Sequence, residues 1–247
     1  MIHSAAVQST PPSETQDLAW LDPQILYPDS DGKPMADNTL QYRWIVRIVS
    51  NLQRLLKNKT AFVAGDLFWY PVQVDRPPVP VQAPDALVAL GRPPGDRGSY
   101  KQWEEDNIAP QVVFEILSPS NTAREMLLKQ QFYEQYGVLE LFFYDPASND
   151  FWGLIRSKAE EPFQPLVALQ LPWTSPLLGI RFERGESELE IFYPNGEKFK
   201  DPAEFADERD QIAQERDQLA QERDQLAQER QRAFAKLREL GIDPNTL

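Results

Sequence analysis

The stretch Gln111-Val112-Val113-Phe114-Glu115-Ile116-Leu117, followed by Ser118-Pro119-Ser120-Asn121, decides the fold class. From Val112 to Leu117 it is apolar at every position but one, so it reads as a strand buried on both faces and stopped by the Ser-Pro-Ser-Asn turn. A strand of that kind belongs in the middle of a helix-covered sheet. Glu115 is the exception, and a carboxylate there is costly unless it is paired, protonated or bound to a cation.

Working outward, Asp85-Ala86-Leu87-Val88-Ala89-Leu90 is a second strand apolar on both faces, headed by an acid that follows Pro84, and Leu139 to Tyr144 is a third. Thr122 to Tyr136 carries helical spacing between the last two. Upstream, Leu40, Trp44, Ile45, Ile48, Val49, Leu52, Leu55 and Leu56 recur at three and four, which predicts an amphipathic helix from Thr39 to Lys57. The run 61–70, AFVAGDLFWY, reads as one strand. Residues 91–110 read as a long polar connection without regular structure. FWGLIR, PLVALQL, GIRFE and LEIFY are short strands separated by the turn signals WTSP, RGES and PNGE. This order predicts an α/β (α+β) layer architecture. Residues 1–35 are polar and proline-rich and read as an extended lead-in, 36–200 as the folded domain, and 201–247 as a separate helix.

The tail repeats on seven residues, ERDQIAQ, ERDQLAQ, ERDQLAQ, and ends at Gly241 and Pro244. Ile212, Leu219 and Leu226 fall seven apart with Ala beside each, a narrow apolar seam that predicts one continuous helix over 207–240 and a coiled-coil homodimer through it.

Composition narrows the chemistry. There is no cysteine, and His3 is the single histidine, so disulfides, thiolate nucleophiles and Ser-His-Asp or Cys-His triads are excluded. What remains is carboxylates, lysine, tyrosine, or a hard cation held by oxygen. Lys and Arg number 25 against 38 Asp and Glu, a net charge of −13, which argues against coating nucleic acid broadly through phosphates. No basic flank leads an apolar run at the N-terminus, and no window reaches the ~18 consecutive apolar residues of a membrane span, so a cytoplasmic protein without membrane contact is expected.

Asp85 and Glu115 are two acids on strands of one sheet, and such a pair can meet on one cation; the alternative is an unrelated edge acid beside a buried glutamate held by a hydrogen bond. At ~100° per residue the helix 122–136 puts Leu128, Phe132, Tyr136, Tyr133 and Met126 on one arc. Glu125 and Lys129 fall inside that arc and point at the sheet. Glu125 also completes a capping box with Thr122, whereas Lys129 has no such structural role and balances the charge of the two acids. Asp66 is a third acid in an apolar run. Arg92, Arg97 and Lys101, with Tyr100 and Trp103, stand where a DNA backbone could be met, although Asp96, Glu104, Glu105 and Asp106 favour a solvated loop.

The runs PDALVAL, GRPPGDRGSYKQWEE, APQVVFEILSPSN and EMLLKQQFYEQYGVLELFFYDP, taken together, resemble the Uma-type restriction endonuclease family, abundant in cyanobacteria and placed in the PD-(D/E)XK nuclease superfamily. The resemblance covers roughly 36–200, and the closing KLRELGIDP is similar to the tail of many cyanobacterial members. It implies a restriction-endonuclease-like core, a mixed central sheet flanked by helices, with Asp85 as the motif aspartate and Glu115 as the motif glutamate. The superfamily places a lysine two residues after that glutamate; here Leu117 stands there, and Lys129 resembles the migrated lysine of the family. Gln111 occupies a position where many relatives carry a second Asp.

The resemblance implies a Mg²⁺ (or Mn²⁺) endonuclease acting on DNA, with Asp85, Glu115 and the Ile116 carbonyl as metal ligands and Lys129 as the third catalytic residue; Glu125, from the helical arc, and Asp66, from its apolar run and ranked below the others, are candidate accessory acids. A nuclease-like scaffold that works through its coiled-coil tail is the competing expectation, favoured by the net charge and the displaced lysine; a nuclease acting on RNA or single strands is a third.

Overall fold

The computed structural model describes residue 22, residues 26–32 and residues 34–239. The helix stop at Gly241 and Pro244, His3 and most of the lead-in lie outside the described residues. The chain divides into two units, residues 1–199 and 200–247.

In the first unit, Asn38 caps helix α1 (Thr39–Leu56), its side chain accepting from the backbone N–H of Gln41. Trp44, Ile45, Ile48, Leu52 and Leu56 form its buried face. Strands β1 (Ala61–Ala64), β2 (Trp69–Tyr70), β3 (Ala86–Leu90), β4 (Tyr100–Lys101) and β5 (Val112–Ile116) follow. Then come helix α2 (Ala123–Gln135) and strands β6 (Glu140–Asp145), β7 (Asp150–Ile155), β8 (Gln164–Val167), β9 (Trp173–Thr174), β10 (Arg181–Arg184) and β11 (Leu189–Phe192). Six of these strands make the main sheet in the order β1-β3-β5-β6-β7-β8, and β9 to β11 make a second sheet in the order β11-β10-β9. The main sheet is mixed: β5 runs antiparallel to β3 and parallel to β6, the link to β6 passing through α2. This is the mixed α/β architecture expected, with β5 in an interior position.

Side chains alternate along each strand, and the two faces bury different partners. Ala86, Val88, Val112, Phe114 and Ile116 join α1 and the β9–β11 sheet residues Phe182, Leu189 and Ile191 in one core. Leu87, Ala89 and Val113 join Trp69, Tyr100 and Tyr133 in the other. Burying each large apolar side chain stabilises the fold by about 1.5–3 kcal/mol.

Several local expectations are corrected. The run 61–70 is not one strand, because β1 ends at Ala64 and β2 pairs in parallel with β4 in a separate two-stranded sheet. Between them the backbone turns sharply. A Cβ on Gly65 would meet Val49 Cγ2 at 2.9 Å and the Asp85 carbonyl oxygen at 3.0 Å, and Asp66 adopts a left-handed φ of 48°. The connection 91–110 is partly regular, holding β4 and a 3₁₀ turn over Gln102–Glu104. The WTSP turn signal begins with a short strand, β9. Of the lead-in, Tyr27 is buried, donates to the Val74 carbonyl at 2.8 Å and packs edge-on against Tyr70.

In the second unit, α3 (Pro202–Glu239) is a single uninterrupted helix of 38 residues, about 57 Å long at 1.5 Å per residue. It buries no residue, and Ile212, Leu219 and Leu226 stay 59%, 65% and 65% exposed. Among the described residues, no helix is long and apolar enough to cross a membrane.

Candidate active site

The β3–β5 register pairs Ala86 with Phe114 and Leu87 with Val113. Continued by one residue, it sets Asp85 opposite Glu115. Alternation puts Asp85 on the face of Leu87 and Ala89, and Glu115 on the face of Val113, which is the face that α2 covers through Tyr133. The β1–β3 register, Ala64 with Leu87, brings the turn at Asp66 beside the same strand end. There the Asp66 N–H donates to the Pro84 carbonyl at 3.0 Å.

Helix α2 closes the site from above. Thr122 is its N-cap and accepts from the Glu125 N–H at 3.2 Å. Lys129 lies near the centre of the inward arc, and its Nζ donates to Glu115 Oε2 at 2.7 Å. One turn later Tyr133, fully buried, donates its hydroxyl to Glu115 Oε1. Glu115 is 2% exposed and is therefore gripped at both oxygens. Asp85 accepts the Ile116 N–H on Oδ2 at 2.6 Å. Among the described residues its Oδ1 accepts no hydrogen bond, yet no buried side-chain oxygen is left without a partner, so that atom keeps some contact with solvent. The Ile116 carbonyl accepts from Gln41 Nε2 at 2.8 Å, while Gln41 Oε1 accepts the Asp37 N–H at 2.8 Å.

Burial, and after it the charge of Glu115, holds the Asp85 carboxyl well above the usual carboxylate range, against the pull of Lys129 and the Ile116 N–H. For Lys129 burial works to lower the pKa, but Glu115 and Asp85 outweigh it and the ammonium is raised. Burial and the neighbouring Glu115 push the Tyr133 phenol well above its usual value, so it is a neutral donor near pH 7. Asp66 is raised by burial and then by Asp31, with Lys129 opposing.

Asp85, Glu115 and Lys129 are thus brought together, with Asp66 within electrostatic reach. Other expectations are not met. Glu125, in the first turn of α2, is exposed and lines a cleft beside Lys129, and Leu128, placed on the inward arc by the wheel, is 53% exposed. Leu128 sits at the edge of an arc centred on Lys129 and Tyr133. Arg92 pairs with Glu105 at 2.8 Å and with Asp106, and Arg97 pairs with Glu105 while lying over the Phe62 ring. Their guanidinium groups are spent on the loop's own acids. Lys101 is half-buried at the end of β4. Gln111 bonds the backbone of β3, its Oε1 accepting from the Leu90 N–H at 2.7 Å.

Tyr133 and Gln41 were missed as site residues. Tyr133 carried a signal, since it follows Lys129 by one helical turn on the same arc; Gln41 carried none, being 75 residues from the carbonyl it holds.

The donor set suits a hard cation. It offers two carboxylates crowded enough to repel, one carboxylate oxygen without a hydrogen bond, and a carbonyl with a second lone pair. No group of three or more His, Cys, Asp or Glu that could hold a metal is found among the described residues.

No curated protein matches the chain. Among solved structures, a protein described as a putative nuclease belonging to DUF820, from Anabaena variabilis, is similar at 15% identity and a TM-score of 0.43, over 60% of this chain and 77% of that one. The family Uma2, described as "Putative restriction endonuclease", matches residues 32–205, and the chain belongs to that family.

Proposed function

We propose that the chain is a divalent-cation-dependent endonuclease that hydrolyses phosphodiester bonds in DNA, with Asp85 and Glu115 as cation ligands and Lys129 as the cationic group at the reacting phosphate. The observation that carries this reading is the 2.7 Å pairing of Lys129 with Glu115, on the face and strand end that Asp85 shares. It supplies from α2 the lysine that is absent at Leu117.

Asp85, Glu115 and the Ile116 carbonyl would hold Mg²⁺ or Mn²⁺, which would supply Lewis-acid polarisation of a phosphate oxygen and a lowered pKa for the attacking water. The protein's own groups do the positioning. Tyr133 and Lys129 fix the Glu115 carboxylate from two sides. The Ile116 N–H orients Asp85 so that Oδ1 remains available. Lys129 stays protonated beside the two acids, and an ammonium carries two further protons for a phosphate oxygen or for the attacking water. Gln41 holds the Ile116 peptide in place.

For α3 we propose a pairing of two chains along Ile212, Leu219 and Leu226, supported by their seven-residue spacing and exposure.

Two measurements test the nuclease reading. Circular DNA incubated with Mg²⁺ or Mn²⁺ is nicked or linearised, and EDTA stops the reaction. Calorimetric titration with Mn²⁺ gives binding that Glu115→Ala abolishes. Undiminished binding in that variant removes Glu115 from the ligand set, and cutting unaffected by EDTA removes the cation from the account.

A further inference from the structure

Lys129 faces two ways. Besides pairing with Glu115 it lines a cleft of about 530 Å³ whose wall includes the half-buried side chains of Phe68, Val79 and Val81, and whose lining also includes Asp31 and Glu125. Asp66 lies close enough to Asp31 and Lys129 to be affected by both charges. A run of several phosphates is repelled by such a surround, because the acids outnumber the one ammonium, which can serve a single phosphate. Arg92 and Arg97, the two arginines of the long connection, are taken up by Glu105 and Asp106. The whole chain, at −13, offers little for binding a backbone by charge.

The ligand chemistry that fits is flat and uncharged, with an apolar face for Phe68, Val79 and Val81 and N–H donors on its edge for carboxylates. A nucleobase has all of these. In a duplex its faces are stacked and its edge is paired, so it reaches a cleft only from a single strand or after leaving the helix. We infer that the substrate is held chiefly by an unpaired nucleobase seated in this cleft, beside Lys129, and that the strand cut is therefore single-stranded or locally unpaired. The inference rests on the proposed nuclease reading of Asp85, Glu115 and Lys129.

The test is fluorescence anisotropy of the full chain with a labelled single-stranded oligonucleotide, with its duplex, and with the same strand carrying abasic sites, all in EDTA so that nothing is cut. The single strand is expected to bind about ten-fold or more tightly than the duplex, and abasic substitution to weaken it by about the same factor, the scale of one base stack. Affinity should fall with salt more gently than for a protein making six or more phosphate contacts. Val81→Trp, which fills the cleft, lowers single-strand affinity about ten-fold; Phe68→Ala, which removes one of the two aromatic rings lining the cleft, Phe68 and Tyr70, does the same and serves if the tryptophan variant does not fold. Duplex binding equal to single-strand binding, indifference to abasic sites, or wild-type affinity in a folded cleft variant overturns the inference.

The two readings fail separately. Base-dependent binding with no cutting under Mg²⁺ or Mn²⁺ contradicts the nuclease reading alone. Cation-dependent cutting that is as fast on duplex as on single strands, and unchanged in Val81→Trp, contradicts the base cleft alone.

Discussion

Gln41, one turn into the first helix, donates from Nε2 to the carbonyl oxygen of Ile116 across 2.8 Å, and this bond ties α1 to the strand end that carries Glu115. Its amide cannot turn over, since Oε1 is held by the Asp37 N–H at 2.8 Å. Replacing Gln41 with Ala leaves the buried Ile116 carbonyl without its partner, at a cost of about 1–3 kcal/mol, while the Asp37 N–H, on an exposed residue, turns to water. Thermal unfolding of Gln41→Ala should show a lowered Tm, and Mn²⁺ titration a weaker affinity.

Tyr133→Phe removes one hydroxyl and little volume. Glu115 Oε1 then loses its donor inside the core, which should destabilise the fold by about 1–3 kcal/mol in denaturant unfolding. The ring stack on Trp69, with centroids 6.2 Å apart, survives the change. A variant as stable as the wild type would mean that Glu115 does not depend on the phenol.

The crowded carboxylates give a pH dependence of definite sign. Because Asp85 is raised in the folded state by burial and by Glu115, this carboxyl keeps its proton to higher pH in the folded protein than in the unfolded chain. Its contribution to the stability of the cation-free protein is therefore present below about pH 4 and is lost as pH climbs through the raised value. Asp85→Asn keeps an acceptor for the Ile116 N–H and removes the charge, so in EDTA at pH 7 its Tm should rise, by about 2–4 °C for each kcal/mol of repulsion relieved. Added Mn²⁺ should stabilise the wild type and leave the variant unmoved. A lower Tm for the variant would show that the aspartate is not a burden in the free protein.

Glu105 gives the opposite sign. Hydrogen bonds from Arg97 first, and from Arg92, hold it below the usual carboxylate range despite its burial. Its contribution is present above the unfolded value and is lost as pH falls through the lowered one. Between about pH 5 and pH 3 the wild-type Tm should drop more steeply than that of Glu105→Gln.

Much of this was legible in the sequence. The doubly apolar strands around Asp85 and Glu115 set the mixed α/β sheet and the face that α2 covers, and the helical arc placed Lys129 inward. What escaped depended on contacts that no periodicity carries. The turn at Asp66 follows from the close approach of Gly65 to Val49 and Asp85, residues far apart along the chain. The ion pairs of Arg92 and Arg97 depend on a loop folding back on its own acids. Leu128 failed because the wheel treated every apolar residue alike, although the buried arc is narrow and centred on Tyr133.

The tail has its own test. Sedimentation of the full chain should give a dimer, and of a chain ending at Asp201 a monomer, since Ile212, Leu219 and Leu226 are the exposed apolar ridge removed. Equal monomeric masses would leave α3 as a polar spacer.

We propose that Asp85, Glu115 and Lys129 act together on a phosphodiester, and the test is the Mg²⁺-dependent cleavage rate of single-stranded and duplex DNA by the wild type and by Asp85→Asn, Glu115→Gln and Lys129→Met, each first shown to be folded by thermal melting. The wild type is expected to cleave and every variant to lose about 10²-fold or more, the scale of removing a group that stabilises transition-state charge. Folded variants that cleave at the wild-type rate, or a wild type that cleaves neither substrate, would contradict the proposal.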